Sequence, residues 1–231
     1  MQIRITRWIV VAAAALVAAG ALATAVIASS QPSRSQSMGT HESMHAMHAS
    51  PATLSKEDLR VTLDRLFGQH AVLAMNATNA GVKGSKSFPA VAKALDRNSV
   101  ALSKAVASIY GPKAGRTFLN GRFMWRDHIR FFVAYTVALA KKDRAAQNKA
   151  VANMRQYTVT FGDFLAGATG LPKAAVRNDL LGHVFELKQQ LDAYAAGKYG
   201  KAAANYDAAY EHMFMTGDLL ADAIAKQKGL N

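Results

Sequence analysis

The sequence predicts an all-α protein: an up-and-down helical bundle built from three helical hairpins, six helices in all. Three observations predict it. Apolar residues after position 55 recur three and four apart, as in LRVTLDRLF, which is the period of one helix face. Glycine and proline punctuate the same region at helix-length intervals, as at Gly111-Pro112 and Gly170-Leu171-Pro172. Finally, three histidines recur at equivalent places. FGQH ends at His70, WRDH at His128 and LLGH at His183, with gaps of 58 and 55 residues.

Each of those histidines has a large apolar residue three positions earlier: Phe67, Trp125 and Leu180. Each is followed by a mostly apolar stretch, a break and a second helix. The second helices of the first two units match as ALDRNSVALSKAVASIYG and NMRQYTVTFGDFLAGATG. A helical hairpin recurs with a period of roughly 56 residues. Short connections make each pair antiparallel.

Taken in order, the first helix is expected from about Ser55 to Asn79. Ser55 caps it, with Glu57 and Asp58 in its first turn. The second starts near Phe88-Pro89, where proline suits the first turn, and ends at Gly111-Pro112. A short helical turn is expected over Ala114 to Leu119. The third helix runs from about Gly121 to Lys142, and the fourth from about Arg144 to Leu165. The fifth runs from Pro172 to near Gly197, and the sixth from about Gly200 to Lys226. No segment reads as a strand.

Residues 1–54 read differently. Arg4 and Arg7 precede the apolar run Trp8 to Ala28, followed by Ser29. That is the pattern of a signal peptide. The run is also near the ~20 residues that span a bilayer, so retention of residues 8–28 as a membrane anchor is the alternative to cleavage. Either way the remainder is expected to be exported to a periplasmic or other extracytoplasmic space. Residues 29–54 are rich in Ser, Gln, Met and His and read as a disordered linker. Residues 55–231 form the bundle domain.

Composition narrows the chemistry. The chain has 231 residues, no cysteine and a formal net charge of +13. Disulfides and thiolate metal sites are therefore impossible. The basic residues are scattered, without a stripe of interleaved aromatics, so nucleic acid is not an expected partner. An anionic envelope surface or a protein partner suits the charge better. There is no P-loop and no GxGxxG. The Glu-x-x-His spacing of di-iron bundles occurs only at Glu42 and His45, outside the predicted helices. No acid/base pair stands out, and no enzyme activity is expected.

Two His/Met groups remain. The linker holds Met38, His41, Met44, His45, Met47 and His48 within MGTHESMHAMH. Within the bundle, His183 lies about fourteen residues before the last hairpin turn and His212 about thirteen after it. With a rise near 1.5 Å per residue, the two stand at about the same height. Met215, three positions beyond His212, can share its face. Imidazole and thioether ligands suit copper, above all Cu(I). His183, His212 and Met215 are therefore a candidate inner site and the linker a capture element. The other reading of the helical residues is structural: histidines bonded to one another or to backbone, and methionines in the core. The residues roughly opposite His70 and His128 are Asn98 and Tyr157, which suggests one structural job in every repeat. Convergence of His70, His128 and His183 is a further alternative, since their helices run parallel. Trp125, Phe131, Phe132 and Tyr135 are expected to pack in the core.

WRDHIRFFVAYTVALAKKD and YEHMFMTGDLLADAIAKQ resemble a poorly characterised family of exported bacterial helical proteins, over most of residues 55–228. Some members carry copper amine oxidase labels. The resemblance implies a helical envelope protein and no particular activity. Asn205-Tyr206-Asp207 resembles the motif whose tyrosine becomes the quinone of copper amine oxidases. Here it falls in an alanine-rich helix, and the chain is too short for the large β-sandwich of those enzymes. The expected function is binding of copper or a related soft metal for storage, buffering or handover. The alternative is a non-catalytic interaction module of the cell envelope with structural histidines.

Overall fold

Ser55 opens the fold. Its hydroxyl accepts from the Asp58 amide at 3.0 Å, and the Asp58 carboxylate accepts in return from the Ser55 amide. This reciprocal cap satisfies two amides that a helix start leaves without partners. The computed structural model describes residues 54–231. The signal or anchor segment, and all of the Met/His linker except Leu54, lie outside the described residues.

The elements are α1 (Lys56–Val82), α2 (Phe88–Tyr110), α3 (Pro112–Asn120), α4 (Trp125–Ala140), α5 (Arg144–Thr169), α6 (Lys173–Ala195) and α7 (Tyr199–Lys228). The six long helices are those predicted, and α3 is the short turn expected around Ala114 to Leu119. Among the described residues there is no strand. Gly111, Gly170 and Gly197 adopt positive φ at helix ends, where a side chain would be strained.

Two boundaries moved for physical reasons. The third long helix starts at Trp125 rather than Gly121. The Asp127 carboxylate accepts from the Phe123 amide at 2.6 Å and pairs with Arg130, which holds residues 121–124 as a turn. The fourth runs on to Thr169 because Gly167 lies in a helix and the stop is left to Gly170, at φ 75°. Its start is as expected, with Asp143 accepting from the Ala146 amide at 2.9 Å.

Each predicted hairpin is a packed pair: α1 with α2, α4 with α5, and α6 with α7. α7 also packs along α1, which closes the bundle. Cross-helix ion pairs link neighbours, such as Arg126–Asp96 at 2.9 Å and Lys56–Asp222 at 2.8 Å. These are half-exposed and set register more than stability. The helices that carry the three repeat histidines, α1, α4 and α6, touch one another in the centre. A partly buried amide pair ties two of them, with Gln190 Nε2 donating to Asn79 Oδ1 at 3.1 Å. Among the described residues no helix is long and apolar enough to cross a membrane.

Candidate functional site

The residue three places before each repeat histidine is buried, as the 3.6-residue period requires if the histidine faces inward. Phe67, Trp125 and Leu180 are all core residues. The histidines they precede are buried too: His70 is 1% exposed, His128 4% and His183 6%. The three parallel central helices therefore bring the three imidazoles to one level. This settles the alternative that spacing alone left open. The ring centres of His70 and His128 are 5.3 Å apart, and those of His70 and His183 6.1 Å.

The cluster is short of hydrogen bonds. His70 Nε2 and His128 Nε2 face each other at 3.4 Å, long for a hydrogen bond between two nitrogens. Nδ1 of all three rings is buried and has no hydrogen-bond partner among the described residues. A buried unmet polar atom costs about 1–3 kcal/mol, so three together are a substantial expense in a core. Among the described residues no carboxylate bonds to these three rings, and none contributes to the shifts of their titration. Burial holds His70 and His183 well below the ordinary imidazole value, reinforced by His128 for His70 and by His70 and His212 for His183. Burial first, then His183, push His128 down to about 3, against an opposing effect of the Trp125 backbone. All three are neutral at physiological pH.

Aromatic rings enclose the cluster. Trp125 lies 4.8 Å from His70 and 4.7 Å from His128, centre to centre. Its indole N–H donates to Ser99 Oγ at 3.2 Å. Tyr157, expected opposite His128, stacks on it at 4.7 Å. Asn98, expected opposite His70, is buried and donates to the Leu66 carbonyl and to Gln69 Oε1. Trp125, Phe132 and Tyr135 are buried as predicted, and Phe131 is partly buried against the same core.

His212 has a different environment. It does stand near His183, with ring centres 6.1 Å apart. Its Nδ1 lies 2.8 Å from Glu186 and its Nε2 3.2 Å from Asp179. Thr216 Oγ1 donates to the other Asp179 oxygen at 3.0 Å. Gly182 lets the ring approach α6, because a Cβ there would meet His212 Cε1 at 2.9 Å. Asp179 first, then Glu186, raise the His212 imidazole to about 9, against the opposing effect of burial. It is a cation at neutral pH with both nitrogens engaged, so neither is free to hold a metal.

The proposed inner set of His183, His212 and Met215 is therefore not assembled. Met215 is 62% exposed, while Met213 is buried in the core. Three residues are 300° around a helix, so Met215 lies 60° from His212. The contact line between α7 and its neighbours passes between them. Asp179 and Glu186, which spacing did not single out, flank His183 by four and three positions on the same face of α6. That periodicity was the signal available for them. Among the described residues no group of three or more His, Cys, Asp or Glu side chains is arranged to hold a metal ion. His70 and His128 face each other, but His183 makes no hydrogen bond to either ring. Met38, His41, Met44, His45, Met47 and His48 lie outside the described residues. Residues 41–45 of that segment, His-Glu-Ser-Met-His, also have the His-Glu-x-x-His spacing of zinc hydrolases, which needs a helix to align its histidines. Sequence reasoning missed this match, and it too lies outside the described residues.

No protein-family model, curated protein or solved structure matches the chain.

The His212 bracket has a measurable consequence. Its native value is raised above the unfolded value near 6.5. The stability it contributes is fully present below pH 6.5 and is lost as the pH rises through about 9. The loss is on the order of 2–3 kcal/mol. Urea unfolding at pH 7 and pH 10 is expected to show it, and Asp179→Asn is expected to shrink the difference by more than half.

Proposed function

We propose that this is an exported, non-catalytic protein of the cell envelope that binds a soft metal ion, copper as Cu(I), for storage or handover. The observation that carries the reading is the convergence of His70, His128 and His183 as neutral imidazoles, with Nε2 of the first two facing each other at 3.4 Å and Nδ1 of every ring without a partner among the described residues. A purely structural histidine normally spends both nitrogens on hydrogen bonds. Neutral imidazoles suit a singly charged soft ion, because no second charge has to be buried with it. Two nitrogens 3.4 Å apart can both lie about 2 Å from one ion. His183 would join them by turning its ring. The Met/His linker, Met38 to His48, would capture the ion before the core receives it. Compared with the set expected from spacing, His70 and His128 replace His212 and Met215.

A second reading keeps the histidines structural and makes the bundle an interaction module, with its positive charge serving an anionic surface or protein partner. The stacking of His128 on Tyr157 and the packing of His70 on Trp125 favour it.

Cu(I) titration against a competing chelator separates the two. The protein is expected to hold one ion far more tightly than a scrambled Met/His peptide does. His70→Gln/His128→Gln is expected to weaken that ion by ~100-fold, about 2.7 kcal/mol. Deleting residues 38–48 should leave it in place and remove only weaker sites. Loss confined to the deletion would reject the core centre. Wild-type binding no tighter than the peptide would sink the metal reading and leave the interaction module.

A further inference from the structure

We infer that the bundle has a second binding site, a core cavity that takes a small, uncharged, ring-bearing organic molecule of about ten heavy atoms. The cavity has a volume of about 250 Å³ and begins at the level of His128 and His183. Protein interiors are packed nearly without voids larger than a water molecule, so a space of this size is exceptional. A cavity of about 150 Å³ holds one benzene ring, and the larger volume here suits two fused rings.

The repeat itself builds the wall. Phe67, Trp125 and Leu180, each three residues before a repeat histidine, all line the cavity. Their common place on the inner faces of α1, α4 and α6 makes the space a product of the three-fold pattern. Phe118 of α3 and Phe161 of α5 complete an aromatic surround, with Phe118 stacked on Trp125 at 5.2 Å. Aromatic walls favour a flat aromatic guest through offset stacking and edge contacts.

The polar groups set the rest of the class. No Asp, Glu, Lys or Arg is among the lining residues, so a charged guest would lose its hydration without a counter-charge. Two neutral imidazoles and the Tyr157 hydroxyl lie on the wall. Tyr157 is buried, and among the described residues nothing hydrogen-bonds its hydroxyl. One hydroxyl or N–H on the guest would find a partner there. A mostly apolar pocket with a few polar groups is the usual form of a small-molecule site. At the far end the Tyr110 hydroxyl lies 3.0 Å from the Ala168 carbonyl and 2.8 Å from Gln227 Oε1. It ties α2, α5 and α7 across that end of the space.

The test uses metal-free protein, so it stands or falls independently of copper. Calorimetry and thermal unfolding are run with 2-naphthol, naphthalene and 2-naphthoate at pH 8. 2-Naphthol is expected to bind one per chain and raise the unfolding temperature, and naphthalene to bind more weakly. 2-Naphthoate, an anion at that pH, is expected to bind at least ~10-fold more weakly than 2-naphthol. Ala168→Phe and Ala105→Phe, which put bulk into the cavity from α5 and α2, are each expected to weaken 2-naphthol by at least ~10-fold. Quenching of Trp125 fluorescence by 2-naphthol in the unaltered protein gives a readout that needs no variant to fold. Absence of 2-naphthol binding would overturn the inference. So would equal affinity for 2-naphthoate, or undiminished binding in both filled variants.

Discussion

Lowering the pH from 7 toward 4 is expected to unfold the bundle, with an uptake of close to three protons per molecule. His70, His128 and His183 are held neutral by burial, with values depressed below the ordinary one. In the unfolded chain the same side chains bind protons below about 6.5. Native stability is therefore intact above pH 6.5 and falls as the pH drops toward the native values. Each site contributes about 1.4 kcal/mol per pH unit, and three together about 4. A domain stability of roughly 5–15 kcal/mol is exhausted within a few pH units on those terms. Between pH 5 and 6 exposed carboxylates are still largely ionised in both states. His212 opposes the cluster while its unfolded-state imidazole is charging, and has nearly finished doing so at the lower end, so the slope near pH 5 isolates the three buried histidines. Asp64, raised by its own burial and by Asp218, acts in the opposite sense once the pH nears the carboxylate range. The measurement is the slope of urea-unfolding free energy against pH. His183→Leu is expected to lower that slope by about one proton, or 1.4 kcal/mol per unit. A slope below one proton in the unaltered protein would mean that the cluster charges while folded, contrary to its dry surroundings.

Trp125→Ala is expected to cost about 3–5 kcal/mol, which is large against the stability of such a domain. Trp125 is 4% exposed and touches parts of the core contributed by several helices. Its ring packs on Phe67 of α1, Phe118 of α3 and Phe161 of α5, and on His70 and His128. Tyr157 makes a second link, from His128 to Phe161, but Trp125 touches two of the histidines and three rings of the aromatic wall. Truncation would merge its volume with the adjacent cavity, and a long helix cannot collapse to fill it. Trp125→Phe keeps a ring against Phe118 and loses mainly the bond to Ser99, about 1 kcal/mol plus a smaller void. Urea unfolding at pH 7.5 checks both. A loss below about 1 kcal/mol for the alanine variant would contradict the hub role. In a metal-free sample the same variant should keep His212 in its carboxylate bracket, since that lies on α6 and α7.

The element order was legible because its signals are local. Ser55 and Asp58 are three residues apart, and their reciprocal bonds need no other part of the chain. Gly111, Gly170 and Gly197 stop helices by their own backbone freedom. The pairing of Tyr157 with His128 followed from counting residues on either side of one hairpin turn. The start of α4 was less legible, because Asp127 reaches back to Phe123 and no residue pattern announced that bond. Met215 was misplaced for a geometric reason: a three-residue step leaves 60° of freedom, and packing against other helices decides which side of that angle is buried.

The histidines mark the same division. Sequence alone determined that His70, His128 and His183 are equivalent, each at one height in its own hairpin, because helical rise is constant and the turns are short. It also determined that no thiolate takes part in any site, because there is no cysteine. Only the tertiary structure decided that the three rings meet, that His212 is engaged by Asp179 and Glu186, and that a cavity lies beside the cluster. Heights along helices are set by covalent geometry and hydrogen bonding within each segment. The rotation of one helix about its axis relative to another is set by side chains packing between segments far apart in the chain, and a single periodic pattern leaves that rotation open.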